Sequence, residues 1–470
     1  MYKARLRDNA RRSPFLPPLC TRISASMISH FGALTVAQET KFGELPLDFV
    51  ALVLMRLPLD ARLRAREVSR GWRALLNELR FWLVLDFSPG SGVVARFTRA
   101  LLFAAGERAR GHLHTLDLTG ANHSLDPEHL VQFVAAHGQS LRTVTTPVQR
   151  PLNADQVTRL CRSASLCTLR CFVSCDVAEA LPLLRCEVPF ALLHFVHLLV
   201  HNFHHNQQTV LELVAALPSH SGKIKGLTVH EAPLRNIATA DALMRRIAEV
   251  RVSNVAFMDC NFVPASLPGL TRLIQAGCLE TVSIENSRTA LFEAGPEFTA
   301  FCHALRNSTL QALELRSCGL WRDFAIAGEL LVSLLGHPTL RELDLNYDRV
   351  GDMDDAKLAA AGEQLASLIT HNTALEKLEC YGNYLGQAGL APIFEALPRS
   401  STLKELTFWH ETISREFARD VILPAVRANS SLQKLSFGHD MPLLELTEAH
   451  AIVAARTQRM PLPLPPPDLL

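Results

Sequence analysis

No stretch of this chain stays apolar for the roughly 20 residues that a membrane helix requires. The longest apolar run, Phe190 to Val200, is interrupted by His194 and His197. The start also lacks a continuous apolar segment, so neither a membrane span nor a secretory signal is expected. Tyrosine and tryptophan are scarce, four of each in 470 residues, so the position of each one carries information. The 11 cysteines are odd in number and scattered, which speaks against a disulfide framework and for reduced thiols in the cytosol or nucleus. The chain contains no G-x-x-x-x-G-K-[ST] phosphate loop, no H-E-x-x-H zinc helix and no G-x-S-x-G nucleophile elbow. Its motifs give catalysis no support, so it reads as a non-enzyme, and no cofactor is expected.

What is present is a hydrophobic fraction of 48% beside 20% charged residues, enough for a large core. A net charge of +1 conceals a division: residues 1–112 carry 18 Lys/Arg and 9 Asp/Glu, and the remainder carries 29 and 37. The head is basic and the body mildly acidic. Such a body does not suit nucleic acid, because phosphate contacts need clustered Lys and Arg. Residues 1–40 hold Lys3, Arg5, Arg7, Arg11, Arg12 and Arg22 without sustained periodicity and read as a flexible basic arm. An organelle transit peptide has a similar composition, but the pattern of residues 41–81 argues against an organelle. Residues 456–470 end in a Pro-rich tail that cannot continue a helix or a sheet.

The stretch Leu375 to Phe408 holds a complete unit that recurs along the sequence. Leu375, Leu378 and Cys380 occupy the first, fourth and sixth places of a short strand, with Asn383 at the ninth and Leu385 at the eleventh. After Gly386, the residues Leu390, Ile393, Phe394 and Leu397 fall on one face of a helix. Leu403, Leu406 and Phe408 then begin the strand again. This is the spacing of the leucine-rich repeat. Starts fall at Leu113, Leu141, Leu166, Phe195, Ile224, Val252, Leu279, Leu310, Leu340, Leu375, Leu403 and Leu432, which span 319 residues in 11 intervals, a mean period of 29. Trp82, Leu85 and Phe87 fit the same places earlier. The period resembles the ribonuclease-inhibitor-like class of repeat, whose strands alternate with full helices. Ninth places conform at Cys260, Cys318 and Asn383 but not at Ser174, Phe203, Ala232 or Glu411, which predicts irregular turns.

Residues 41–81 have a different pattern. Pro46 suits a first helical turn, Phe49, Val50, Val53, Leu54 and Leu57 form a helical stripe, and Pro58 ends it. A second helix carries Leu63, Ala65, Val68, Trp72 and Leu75. A helical segment of this size has too little core to stand alone and calls for a docking partner. Leu45-Pro46, Val53-Leu54, Leu57, Val68-Ser69-Arg70, Trp72 and Phe81-Trp82 together resemble an F-box. The chain departs from that family at Ser69, where Cys is usual, and at Ala61-Arg62, where Asp-Leu is usual. The resemblance implies a Skp-type adaptor and a cullin scaffold as partners, with Leu45, Pro46, Val53, Leu54, Leu57, Val68 and Trp72 as adaptor contacts. Without it, the segment would be a helical cap on the repeats.

Three other clusters have plainer readings. Cys161, Cys167, Cys171, Cys175 and Cys186 crowd together, but Cys171 falls on an inward place and Cys167 on an outward one, so they do not converge on zinc. His194, His197, His201, His204 and His205 would share a helix face, yet the repeat makes this stretch a strand, with His197 and His201 outward and the others near a loop. Pro89-Gly90-Ser91-Gly92 imitates a dinucleotide fingerprint and falls at a turn between strand and helix.

If places four and six face the core, places three, five and seven face out, and equal places stack into ladders across neighbouring strands. Glu314, Asp344 and Glu379 share the fifth place, and Glu405 joins Glu342 at the third. Tyr347, Tyr381, Trp409 and His410 come next, at the seventh and eighth. Acids around scarce aromatics fit a protein-binding surface, with these eight residues, Glu342 apart, as substrate contacts and a basic recognition segment on the substrate. The fold expected is a right-handed α/β solenoid, a horseshoe over residues 82–455, preceded by a small all-helical F-box-like module. The function the resemblance implies is the substrate receptor of a Skp/cullin/F-box ubiquitin ligase, cytoplasmic or nuclear. The alternative is a leucine-rich-repeat scaffold or inhibitor with no ligase role.

Overall fold

The computed structural model describes residues 54, 65, 70–78, 82–87, 99–120, 125–146, 151–162, 166–185, 193–204, 206–218, 223–285, 291–347, 354–409, 413–437 and 443–459. The chain divides into two compact units, Met1–Leu57 and Pro58–Leu470. In the first, Leu54 is helical and fully buried. All thirteen described strands lie in the second.

These strands are β1 (Val84–Asp86), β2 (Thr115–Asp117), β3 (Thr143–Thr145), β4 (Thr168–Asp176), β5 (Leu193–His201), β6 (Gly226–His230), β7 (Asn254–Met258), β8 (Thr281–Glu285), β9 (Ala312–Arg316), β10 (Glu342–Asp344), β11 (Lys377–Tyr381), β12 (Glu405–Trp409) and β13 (Lys434–Ser436). They form one open sheet in sequence order, every neighbour parallel. A helix separates each strand from the next. Parallel strands need such crossovers, and a sheet built strictly in sequence order makes each repeat pack on its neighbours alone. The result is an α/β repeat solenoid.

Burial keeps the period of the repeat. Each of the twelve residues that open a repeat, from Leu113 to Leu432, is at most 4% exposed, and Trp82 before β1 is fully buried. Within β11, Leu378 and Cys380 are buried while Lys377, Glu379 and Tyr381 are half-buried on the open face of the sheet. The next helix, Gly386–Ala396, buries Leu390, Ile393 and Phe394 completely. Where it crosses the helix Asp355–His371, Gly362 lies against the backbone of Gly389, and a Cβ there would collide with the Gly389 carbonyl. Two glycines thus let these two helices pack backbone to backbone.

Two ladders hold the turns. Cys260 and Cys318 donate Sγ–H to the carbonyls of Val229 and Ile284 one repeat back, both at 3.3 Å. Phe203 and Ala232, at the equivalent ninth place, are fully buried and supply packing instead. A second ladder stands three residues before the repeat start, at His337, Asn372, Ser400 and Asn429, all at most 6% exposed. Asn429 Nδ2 donates to the carbonyls of Leu397 and Ser400, each at 2.9 Å, while its Oδ1 accepts from the amides of Ser431 and Leu432 at 3.0 and 2.8 Å. Asn372 bonds Leu334, Ala374 and Leu375 in the same way. His337 does so with an imidazole: Nε2 lies 3.0 Å from the Leu305 carbonyl, and Nδ1 accepts from Leu340 N at 3.1 Å.

Among the described residues the irregularity lies within the paired strands β4 and β5, and Glu411 lies outside them. β4 alternates over nine residues, so Ser174 remains a strand residue at half exposure and Cys175 turns inward. Opposite it, the register slips by one at Val196, which restores Leu198 and Val200 to the core. His197 then lies half-buried on the open face, with Nε2 2.6 Å from Thr228 Oγ1 and its ring 5.2 Å from Phe172. Burial lowers its pKa. Cys171 is fully buried and Cys167 exposed, the opposite orientations that the repeat predicts, and no group of three potential metal ligands occurs among the described residues. No helix among them is long and apolar enough to cross a membrane. The Pro89–Gly92 turn lies outside the described residues.

Candidate protein-binding face

The open face of β8 to β12 is assembled by register. Glu314, Asp344 and Glu379 pair directly across β9, β10 and β11, as do Glu342, Lys377, Glu405 and Lys434 across β10 to β13. Arg316, at the seventh place of β9, gathers three carboxylates. Its Nε donates to Asp344 Oδ2 at 2.6 Å, and its terminal nitrogens lie 3.3 Å from Glu314 and 3.8 Å from Glu285. Burial opposes the charge on Arg316, but the carboxylates of Asp344, Glu314 and Glu285 outweigh it and raise its pKa. Asp344 is 4% exposed, although its place faces outward; burial pushes its carboxyl up to about 6 against the pull of Arg316. Asp344 therefore serves the face from beneath, by holding Arg316.

Lys377 Nζ sits 3.3 Å from Glu379 and 3.8 Å from Glu342, and Lys434 Nζ lies 3.1 Å from Glu405. Glu379 and Glu405 thus each have a cationic neighbour. Arg316 is the residue that sequence reasoning missed; its seventh place marks it as outward, but nothing in the sequence shows that one guanidinium reaches acids on three strands.

The aromatic part depends on backbone geometry. Residues at the eighth place, Asn202, Glu231, Asp259, Ser317, Tyr347 and Gly382, all adopt positive φ, between 53° and 71°. The left-handed turn lets the eighth N–H donate to the seventh carbonyl of the next strand, as from Glu231 to Met258 at 2.8 Å and from Tyr347 to Tyr381 at 2.6 Å. Asn346 Oδ1 in turn accepts from the Tyr381 amide at 2.5 Å. With both ends fixed, the Tyr347 and Tyr381 rings meet edge to face, centroids 4.6 Å apart at 70°. Tyr347 is 50% exposed. Its pKa is raised, first by the hydrogen bond with Tyr381, with Glu285 adding and Arg316 opposing. Trp409 pairs with Tyr381 across β11 and β12; its side chain, and all of His410, lie outside the described residues.

Of the expected adaptor contacts, Leu54 is buried and Trp72 is half-buried on the helix Arg70–Leu75. The segment continues into the repeats through Trp82, whose Nε1 donates to the Leu76 carbonyl at 2.7 Å. Leu45, Pro46, Val53, Leu57 and Val68 lie outside the described residues.

Comparison with known families places an F-box domain at residues 42–84. No curated protein matches the sequence. Among solved structures, leiomodin-1 actin-binding site 2 is 18% identical over 29% of this chain and 76% of its own, at a TM-score of 0.24. A complex of TLR13 with the RNA ssRNA13 is 14% identical over 69% of this chain and 39% of its own, at 0.33. Both scores are too low for a shared fold to be argued from them, and the solenoid stands on its own sheet topology.

Proposed function

We propose that this chain is the substrate-recognition subunit of a Skp/cullin/F-box-type ubiquitin ligase. The observation that carries the reading is an F-box domain at residues 42–84 joined to a repeat solenoid. F-box domains bind Skp-type adaptors, and Leu45, Pro46, Val53, Leu54, Leu57, Val68 and Trp72 are the contacts proposed here. The cullin enters through that adaptor. The open face around Glu314, Asp344, Tyr347, Glu379, Tyr381, Glu405, Trp409 and His410 takes up a protein substrate, in the cytoplasm or nucleus. The chain performs no covalent step. It acts by proximity, raising the effective concentration of a substrate lysine beside a ubiquitin thioester held elsewhere in the assembly.

Co-purification from cells tests this. Wild type is expected to recover the adaptor and cullin, and the Leu45→Ala, Pro46→Ala double variant to lose both while keeping its thermal unfolding transition. Failure of wild type to recover any adaptor overturns the ligase reading and leaves a repeat scaffold or inhibitor.

A further inference from the structure

The carboxylates of the open face are not evenly balanced. Lys434 stands against Glu405 alone, Lys377 against Glu342 and Glu379, and Arg316 against Glu285, Glu314 and Asp344. Subtracting one cation from each group leaves no excess charge at Lys434, one negative charge at Lys377 and two at Arg316. Excess negative charge therefore grows from β13 towards β8. The exposed Tyr347 ring sits at the rich end, close enough to Glu285 and Arg316 for both charges to bear on its phenol.

We infer that the Tyr347–Tyr381 ring pair, together with the Glu285 and Glu314 carboxylates that Arg316 gathers, seats one Lys or Arg side chain of a partner protein. A cation over an aromatic face gains from the ring quadrupole, and nearby carboxylates add Coulomb attraction to it. The seat is built before the partner arrives, because the Tyr347 main chain is bonded to Tyr381 and its ring rests beside Gly382, where a Cβ would press on Tyr347 Cδ1. Arg316 acts as a positioning residue that holds three acids together while offsetting one of their three charges. Glu405 and Lys434 form a balanced pair, which moves the centre of recognition from β12 to β8 through β11. The assignment rests on the receptor reading only in taking the partner to be a protein.

Fluorescence anisotropy with a labelled hexalysine peptide and the full chain is the test. Wild type is expected to bind, Tyr347→Ala and Glu285→Gln each to weaken binding at least fivefold, and Tyr347→Phe, which keeps the ring, to stay within twofold. Asp420→Asn makes the same charge change on a helix away from the sheet and is expected to stay within twofold. Absence of binding by wild type overturns the seat. So does an equal loss from Asp420→Asn, which would mean general attraction, or a loss from Tyr347→Phe as large as that from Tyr347→Ala. Circular dichroism melts establish that each variant is folded. Adaptor recovery is scored separately: peptide binding without adaptor sinks the receptor and keeps the seat, and the reverse outcome keeps the receptor and sinks the seat.

Discussion

His337 shows how a single residue adapts to a repeated position. Asn372 and Asn429 close the equivalent turns with a neutral amide, and His337 does the same with an imidazole that is 2% exposed. Burial lowers its pKa. A histidine whose folded pKa lies below its unfolded value adds stability above about pH 6.5, and that stability is lost as the pH falls. Wild type is therefore expected to lose stability from pH 7 to pH 5, by at most about 1.4 kcal/mol per pH unit from this residue. His337→Asn should flatten the decline, read as the shift in urea midpoint between the two pH values; an unchanged decline would place the acid sensitivity elsewhere. The ladder is present in the sequence as HPTL, NTAL, SSTL and NSSL before the repeat starts. It is hard to see there because the apolar period draws attention to the leucines and makes the polar residues between them look like loop. Eighth-place geometry is less legible still: of the six residues there with positive φ, Gly382 announces it by type, Asn202 and Asp259 do so weakly, and Glu231, Ser317 and Tyr347 do not.

Among the elements, the strands are the most legible. Period-two burial and the fixed 1-4-6 spacing locate each one, because a parallel strand with one face on the helices must place its apolar side chains inward. The helices are less so, since what matters is how closely they approach. Gly362 and Gly389 read in sequence as weak helix formers, yet in the fold they let two helices touch backbone to backbone. Gly362→Ala gains helix propensity but forces that contact apart, and overpacking of this kind costs about 2 kcal/mol or more. The expected outcome is a lower urea midpoint; a variant as stable as wild type would show that the helices separate without cost. The bulge at Val196 is a related case, where a one-residue slip rescues the core places of β5 after the long β4.

Across the whole molecule, the proposed function needs both the F-box domain and the repeat solenoid. Tyr381→Ala combined with Trp409→Ala is expected to abolish recovery of the protein substrate, each hot-spot residue contributing about 2 kcal/mol or more, while adaptor recovery stays at the wild-type level. Equal substrate recovery would move the binding surface away from β11 and β12. By itself, the sequence determined the architecture: the 29-residue period, the register of the ladders and the F-box pattern are local, repeated signals that survive without coordinates. It also put Glu314, Asp344 and Glu379 side by side, because equal places stack in a parallel sheet. The tertiary structure decided the charge state of that face. Which acid is buried, which cation serves three carboxylates and which tyrosine stands exposed depend on side-chain reach across strands about 4.8 Å apart. That reach is set by left-handed turns and neighbouring side chains, and no linear spacing encodes it.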